Sequence, residues 1–219
     1  MSLARYLASL LNSSGQVEAA KLAASLDLSS KTLTYPDNSV QSADIASLAA
    51  SKLSGQVPDV NAPSGSVIQV VSVTKTDTFS TTSGSAVDIT GLSVSITPIS
   101  ASNKILITGS VCWGASDSVP YLIAMQLVRN STPICIADTA GSRGRFTIGA
   151  QGIYSTDHTL FAPLNFLDSP ATTSSTTYKL QGQTESGRTL WINRGGEGDG
   201  DGSITGRFIS TITVMEIAA

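Results

Sequence analysis

The stretch from Asn103 to Asp138 reads NKILITGSVCWGASDSVPYLIAMQLVRNSTPICIAD, and it decides the fold class. Its three short apolar runs are Ile105–Val111, Tyr121–Val128 and Ile134–Ala137, with Gly, Ser and Pro between them. Residues 129–133, Arg-Asn-Ser-Thr-Pro, have the chemistry of a hairpin turn, because Asn tolerates a positive φ and Pro stops a regular central strand. The stretch therefore predicts antiparallel β structure that contains the largest apolar segment of the chain.

The same pattern continues through residues 67–219, where about ten short strand-like segments recur at roughly ten-residue spacing. Among these segments are 86–89 and 92–96, on either side of Thr90-Gly91, and 146–148. A further segment, 160–167, contains Pro163. A proline inside a strand indicates an edge strand or a bulge. No helix long enough for a parallel crossover interrupts the series. We predict a mainly β chain whose C-terminal domain is an antiparallel β-sandwich or jelly roll.

Residues 1–30 have a helical pattern instead. Leu3, Leu7, Leu10 and Leu11 recur at three- to four-residue spacing and form one apolar stripe. A helix of this length is not stable alone in water, so the stripe needs a partner. The partner of the stripe is its own domain, sister chains or another protein. We interpret the segment as a docking helix, because a spacer follows it.

Residues 31–66 form that spacer. A short helical pattern carries Ile45, Leu48 and Leu53 in a setting of Ala and Ser. This narrow stripe is sufficient for a short parallel bundle between identical chains. A Pro- and Gly-containing stretch, residues 56–66, then predicts an extended linker before the β domain of residues 67–219.

The 219 residues are polar but weakly charged, with 13% charged and 5% aromatic side chains. About a quarter of the residues of an average globular protein are charged, so this surface favours a packed assembly over a highly soluble monomer. The net charge of −3 gives no electrostatic footprint for nucleic acid, and no apolar run reaches the length of a membrane span. We expect no nucleic-acid binding and no membrane insertion. The N-terminus has the pattern of a mature helix rather than of a signal peptide.

Several phrases of the sequence resemble a family of small bacteriophage fibre or appendage proteins, especially those of marine phages that infect cyanobacteria. These phrases are residues 46–58, 75–80, 90–98, 102–107, 127–129, 166–170 and 210–217, and they span most of residues 31–219. The strand order also resembles the trimeric jelly rolls of tumour necrosis factor type. The resemblance implies a homotrimer on the tail or capsid surface of a virion, with an N-terminal attachment segment that binds another virion protein and a C-terminal knob.

Residues with metal-binding or catalytic potential are few, and we expect no cofactor. Cys112 and Cys135 lie in apolar strand patterns and are predicted to be buried free thiols, with a bridge between neighbouring strands as the alternative. No nucleophile elbow accompanies His158 in the sequence, and His158 is interpreted as a loop residue. The alternative is that three copies of His158 meet on a trimer axis and hold a metal. Asp199 and Asp201 in an acidic Gly-rich loop are candidate calcium ligands, unless that loop is a solvated hairpin tip.

Candidate contacts with a host-surface glycan or receptor come from two loops and a few aromatic side chains. Trp113 and Tyr121 flank residues 114–120, a predicted exposed loop that contains Asp117, and Tyr154 is a further aromatic candidate. Arg143 and Arg145 lie in a flexible basic loop suited to an anion or a sulfated glycan. Core packing of the aromatic residues, and solvation or ion pairing of the arginines, are the alternatives.

The preferred interpretation is a non-enzymatic, homotrimeric tail fibre or appendage that docks by its N-terminus and presents a β knob to the host. A capsid decoration or head fibre has the same anchor, spacer and knob. A glycan-cleaving appendage enzyme would need paired carboxylates, for which Asp168, Glu185, Asp199 and Asp201 are candidates in the second half of the domain. A stand-alone lectin-like module would keep assembly and binding without residues 1–60.

Overall fold

The computed structural model describes residues 62–115, 122–151, 158–185, 187–196 and 206–219. These residues belong to the unit of the chain that begins at Gln56. Every helix or strand within the described ranges is a β-strand. The predicted docking helix and most of the spacer lie outside these ranges, as do Leu3, Leu7, Leu10, Leu11, Ile45, Leu48 and Leu53.

The strands alternate between inward apolar and outward polar side chains, as expected of a sheet with one face on a core. In chain order they are β1 (Val67–Lys75), β2 (Phe79–Thr81), β3 (Val87–Ile96), β4 (Lys104–Ala115), β5 (Leu122–Arg129), β6 (Thr132–Ile134), β7 (Ile148–Gln151), β8 (Thr159–Asp168), β9 (Thr176–Thr184), β10 (Leu190–Ile192) and β11 (Ser210–Ile217).

These strands form two antiparallel sheets. The larger sheet has the order β1-β11-β4-β10-β2, with β8 on the free side of β4. The smaller sheet has the order β3-β9-β5-β6, with β7 also paired to β5. The chain crosses repeatedly between the two sheets. Its first and last strands, β1 and β11, are paired neighbours in the larger sheet. The predicted fold class, an antiparallel β-sandwich of jelly-roll type, is confirmed for the described residues.

The core lies between the two sheets and is almost entirely aliphatic. Its members include Ile89, Leu92, Val94, Ile105, Ile107, Trp113, Ile123, Met125, Leu127, Tyr178, Leu180, Leu190, Ile192, Ile212 and Val214. Burial of such side chains stabilises a fold by about 1.5–3 kcal/mol each, which makes this layer the main source of stability.

The predicted turn at residues 129–133 is confirmed. Asn130 has a φ of 55°, and its side-chain oxygen accepts a hydrogen bond from the Thr177 backbone N–H at 2.9 Å. The third predicted strand, Ile134–Ala137, is wrong. The strand after the turn is β6, and Cys135 with a φ of 53° ends it. Pro133 is tolerated inside β6 because this strand ends the order of the smaller sheet.

Two further strand boundaries differ from the prediction. The two short strands expected around Thr90-Gly91 are one strand, β3, with a register shift between Asp88 and Ser93. Gly91 has a φ of +86° and forms a bulge within the strand rather than a turn between two strands. The short strand expected at residues 146–148 is β7, displaced toward residue 151.

The prediction for Pro163 is confirmed. It lies in β8, which among the described residues pairs only with β4 and is therefore an edge strand. A proline removes one backbone donor and so discourages a further strand from adding to that edge.

The sandwich has two distinct ends. We call the end where residues 62–66 enter the base; there Gly65 N–H donates to the Ala218 carbonyl at 2.9 Å, which also places the C-terminal residues at the base. We call the opposite end the tip. Strands β4, β7 and β9 run toward the tip, and β5, β8 and β10, which follow them, start from there.

Gly109 in β4 leaves no room for a side chain. A methyl group on this residue would overlap the backbone carbonyl of Thr211 in β11. We expect Gly109→Ala to lower the free energy of unfolding by about 1–3 kcal/mol through overpacking. Urea denaturation followed by circular dichroism measures the change. Gly84→Ala is the control, because its added methyl group would meet only the Thr184 carbonyl oxygen, at 3.8 Å. Equal losses in the two variants would contradict the packing assigned to Gly109.

The two cysteines are free thiols, as predicted, with different accessibility. Burial raises the pKa of the Cys112 thiol to about 11, against a smaller opposing effect of its hydrogen bond with Thr159. Cys135 is only half-buried, and burial raises its pKa as well.

We expect a disulfide reagent such as DTNB, at about pH 8, to modify Cys135 in the native protein and Cys112 only on unfolding. The absorbance of the thiolate released from the reagent gives the modification rates of the two cysteines. Cys135→Ser should remove the early reaction, whereas Cys112→Ser should retain it. An early reaction that survives in Cys135→Ser would refute the burial of Cys112.

Candidate functional site

The outer face of the larger sheet is the most unusual surface of the described residues. Near the base, one row of aligned apolar residues crosses four strands, because Val70 pairs with Met215, Met215 with Leu106, and Leu106 with Leu167. Val70 is 56% exposed and Leu167 48% exposed, while the two central residues are partly covered. We call these four residues the apolar row.

Two rows of mostly hydroxyl-bearing side chains follow the apolar row toward the tip. Their members are Ser72, Thr213, Thr108 and Asn165 in the first row, and Thr74, Thr211, Ser110 and Pro163 in the second. The Ser72 and Thr213 hydroxyls are 2.7 Å apart and form one hydrogen bond. Among the described strand residues of this face, the one charged side chain is that of Lys104, at the base. The outer face is therefore flat, hydroxyl-rich and almost uncharged.

The outer face of the smaller sheet has a different chemistry. Lys179 in β9 forms an ion pair with Asp88 in β3 at 2.7 Å. Gln181 donates to the same carboxylate at 2.7 Å and accepts from Gln126 in β5 at 2.9 Å. This chain of contacts crosses three strands and is complete within one copy of the chain. The smaller sheet thus has a normal solvated face.

Asp88 titrates as expected for this network. The hydrogen bond from Lys179, then that from Gln181, lowers the pKa of its carboxyl group below the ordinary 3.8. A lowered folded-state pKa means that this contribution to stability is present above pH 3.8 and is lost as the pH falls through the folded-state value. Because Asp88 is half-exposed, the contribution is small.

Asp168, one of the carboxylates considered for glycan cleavage, has a structural environment. Arg129 of β5 donates to both of its oxygens at 2.9 Å, and the Tyr178 hydroxyl of β9 donates to Oδ2 at 2.7 Å. Asp168 itself is 6% exposed at the end of β8, so the three residues join the two sheets at the base. Burial, and next the bond to Asp168, raises the pKa of Tyr178, which keeps the hydroxyl a donor. Asp168 is therefore the last residue of a strand and is held in an ion pair.

Trp113 does not lie on an exposed loop, and its prediction as a host-contact residue is wrong. It belongs to β4, is 3% exposed and packs in the core between the sheets. Its paired neighbours on the adjacent strands are Leu160 and Ile192. The residues around Trp113 are apolar on both faces of the strand, so the alternation of apolar and polar residues does not predict which face carries the indole.

The other predicted contact residues divide into two groups. Arg143 and Arg145 are exposed in the segment between β6 and β7, beside β5 and away from the tip; Arg145 Nε donates to the Ala137 carbonyl. Asp117, Tyr121, Tyr154, Asp199 and Asp201 lie outside the described residues. The strands that flank Asp117, Tyr121 and Tyr154, however, end or begin at the tip: β4 and β5, and β7 and β8. Asp199 and Asp201 lie between β10 and β11, which both run from the tip side toward the base along β4.

The sequence does not predict a contact role for Phe161, which is exposed, or for its partly buried neighbour Phe208. Phe161 at the tip end of β8 is 56% exposed, and its ring meets that of Phe208 edge to face with centroids 5.8 Å apart. Phe161 pairs with Cys112, so it extends the outer face of the larger sheet toward the tip. The signal in the sequence was the alternation around Pro163, which assigns Phe161 and Leu167 to the same face.

The described residues offer little for metal chemistry. No group of three His, Cys, Asp or Glu side chains among them is placed to hold a metal ion. His158 is exposed beside the start of β8, and Glu185 is exposed after β9. Within the same ranges, no helix has the length and apolar character needed to cross a membrane.

Comparisons with known proteins give limited similarity. No protein-family model matches the chain, and no curated protein sequence matches it. Among solved structures, it is similar to T=1 particles derived from infectious bursal virus, with 18% identity and a TM-score of 0.33 over 69% of this chain and 36% of that chain. It is also similar to infectious bursal disease virus of the Gx strain, with 18% identity and a TM-score of 0.31 over 68% and 42% of the two chains.

A third similar structure is the VP2 subviral particle of infectious bursal disease virus, with 18% identity and a TM-score of 0.30 over 69% of this chain and 38% of that chain. The chain spans less than half the length of each of these viral proteins. Similarity at these scores carries no argument, and the fold assignment rests on the strand pairing itself.

Proposed function

We propose that the chain is a structural virion protein, a homotrimeric phage tail fibre or appendage. It docks by its N-terminus to another virion protein and presents the β domain to the host surface. The observation that carries the proposal is the polarity of the sandwich. The chain enters at the base, whereas the β4–β5 and β7–β8 connections, which hold three of the six candidate contact residues, leave from the tip.

The polarity matters because an attachment protein has to separate its anchor from its contact surface. The Gly65–Ala218 bond and the bond from Ala218 N–H to the Ser66 carbonyl, both 2.9 Å, hold the entering segment against the last strand. Both a tail and a capsid position fit this arrangement.

The sequence adds a second line of support. Phrases that resemble phage fibre and appendage proteins span most of residues 31–219, including residues 90–98, which overlap β3, and residues 210–217, which form β11. The low charged fraction suits subunits that pack against each other in a virion.

Host contact in this proposal is multivalent and non-enzymatic. Three tips held at fixed spacing multiply weak single contacts with a surface glycan or receptor into useful avidity. Asp168 is committed to the ion pair with Arg129, which disfavours it as half of a carboxylate pair for glycan cleavage. The function needs no cofactor.

Small-angle X-ray scattering of the full chain tests the proposal. A compact particle of three chains would have a radius of gyration of about 26 Å, and a compact single chain about 17 Å. We expect the mass of a trimer together with a radius clearly above about 26 Å, because a stalk extends from the knob. A single-chain mass, or a closed shell of many copies, would contradict the proposed fibre.

A further inference from the structure

We infer that the outer face of the larger sheet is the surface through which copies of this chain contact one another, with the apolar row at the centre of the contact. The inference rests on the proposed homotrimer and specifies which surface builds it. The occupant of the face is a second copy of the same β domain.

The face requires a partner because it leaves apolar side chains in water without a charged rim. Four of the seven large hydrophobic residues that are most exposed among the described residues lie at the base, and two of them, Val70 and Leu167, belong to the apolar row. The remaining two at this end are Val67 and Ile99; Ile99 N–H donates to the buried carboxylate of Glu216 in β11, which places it at the base. An aligned apolar row of this kind marks an interaction surface rather than scattered exposure.

The partner is a neighbouring copy because a three-fold axis parallel to the strands brings each row level with the same row of the next copy. A hydroxyl group both donates and accepts hydrogen bonds, so two identical Ser/Thr rows satisfy one another. The apolar rows also match, and among the described strand residues of the face only Lys104 carries a charge. The outer face of the smaller sheet lacks this property, since Asp88 and Lys179 already satisfy each other within one chain.

The β8 edge of the same sheet is a poorer route to assembly. Pro163 in the middle of β8 interrupts the row of backbone donors that strand addition needs. Contact by face is therefore favoured over contact through β8; β1 forms the opposite edge of the sheet.

The size of the face indicates how strong the contact is. Four strands about 4.8 Å apart, and about eight residues that each rise about 3.3 Å, give a face on the order of 500 Å². Three such faces around one axis bury roughly 1,500 Å² in total, or about 500 Å² for each pair of neighbours, which is below the lower limit of about 1,000 Å² for a specific interface. The face alone thus gives a weak contact, and the N-terminal segments, which join the domain at the base beside the apolar row, raise the effective concentration of the domains.

A matched pair of serines allows a sharp test. Ser72 on the larger sheet is exposed and hydrogen-bonded to the Thr213 hydroxyl at 2.7 Å; Ser95 on the smaller sheet is exposed and hydrogen-bonded to the Thr177 hydroxyl at 2.8 Å. Ser72→Glu would bury an unpaired carboxylate in the proposed contact, whereas Ser95→Glu would leave its carboxylate in water. We expect Ser72→Glu to weaken association of the full chain by roughly 100-fold or more, and Ser95→Glu to leave it unchanged.

Sedimentation equilibrium of the full chain and both variants over a concentration series gives the association constants, and circular dichroism reports the fold. If the wild-type chain and both variants associate equally, the assigned face is wrong while the trimer stands. If the wild-type chain is a monomer at every concentration, the trimer and its face are both wrong.

A second pair keeps the test valid if Ser72→Glu prevents folding. Asn165→Glu introduces the same charge on β8 of the larger sheet, and Ser93→Glu introduces it on β3 of the smaller sheet; both sites are exposed. Loss of association in Asn165→Glu alone supports the face. Equal behaviour of these two folded variants overturns it.

Discussion

Trp113→Ala is expected to lower the free energy of unfolding by about 3–5 kcal/mol, the usual cost of removing a fully buried tryptophan. The indole is 3% exposed and fills the space between the sheets near the tip, beside Ile192 and Leu190 of β10. Its loss leaves a cavity that strands paired on both sides of β4 cannot easily close. Urea denaturation of the full chain at one fixed protein concentration measures the change.

The second tryptophan provides the control. Trp191 lies only one residue from Ile192, but it is half-exposed and has the Arg194 guanidinium 5.3 Å above its ring centre. Trp191→Ala should cost about 1 kcal/mol, since it removes surface packing and one cation–π contact. If both substitutions cost the same, Trp113 is not the core residue described above. If Trp113→Ala leaves stability intact, the original expectation of a surface tryptophan is restored.

Arg129→Met is expected to cost about 3 kcal/mol, because it leaves the Asp168 carboxylate buried without its cation. The arginine is 28% exposed and Asp168 is 6% exposed, so water replaces only part of the lost interaction. The Tyr178 hydroxyl remains as one donor. The loss should appear in thermal or urea unfolding of the full chain.

A comparison with an exposed ion pair separates burial from charge. Lys179→Met breaks the pair with half-exposed Asp88 and should cost at most about 1 kcal/mol. Adding Asp168→Asn to Arg129→Met should recover part of the loss, since the amide no longer carries a buried charge. Equal costs for the two ion pairs, or no recovery in the double variant, would show that Asp168 is not a buried link between the sheets.

Local chemistry made much of the fold predictable. The hairpin at residues 129–133 follows from Asn130 and Pro133, and the edge position of β8 follows from Pro163, because each of these residues restricts its own backbone. The all-β class follows from the spacing of short apolar runs. These features require no knowledge of distant contacts.

Other features depend on strand register, which a single sequence does not specify. Trp113 lies in a strand that is buried on both faces near the tip, so apolar alternation gave no direction for its side chain. The sequence predicts a turn at Gly91 where the structure has a bulge, because bulges and turns use the same residue types.

The outer face of the larger sheet depends on strand register even more strongly. The apolar row aligns four residues from strands that are far apart in the chain, Val70, Met215, Leu106 and Leu167. Each of them alone is an ordinary outward residue of an alternating strand. Only the pairing order β1-β11-β4-β8 makes them one surface.

The molar mass of the full chain in solution tests the account most directly. Size-exclusion chromatography with light scattering at micromolar concentration should give a mass near three times the 22.5 kDa of one chain. The mass of a single chain at that concentration would contradict the homotrimer, and with it the role assigned to the outer face of the larger sheet.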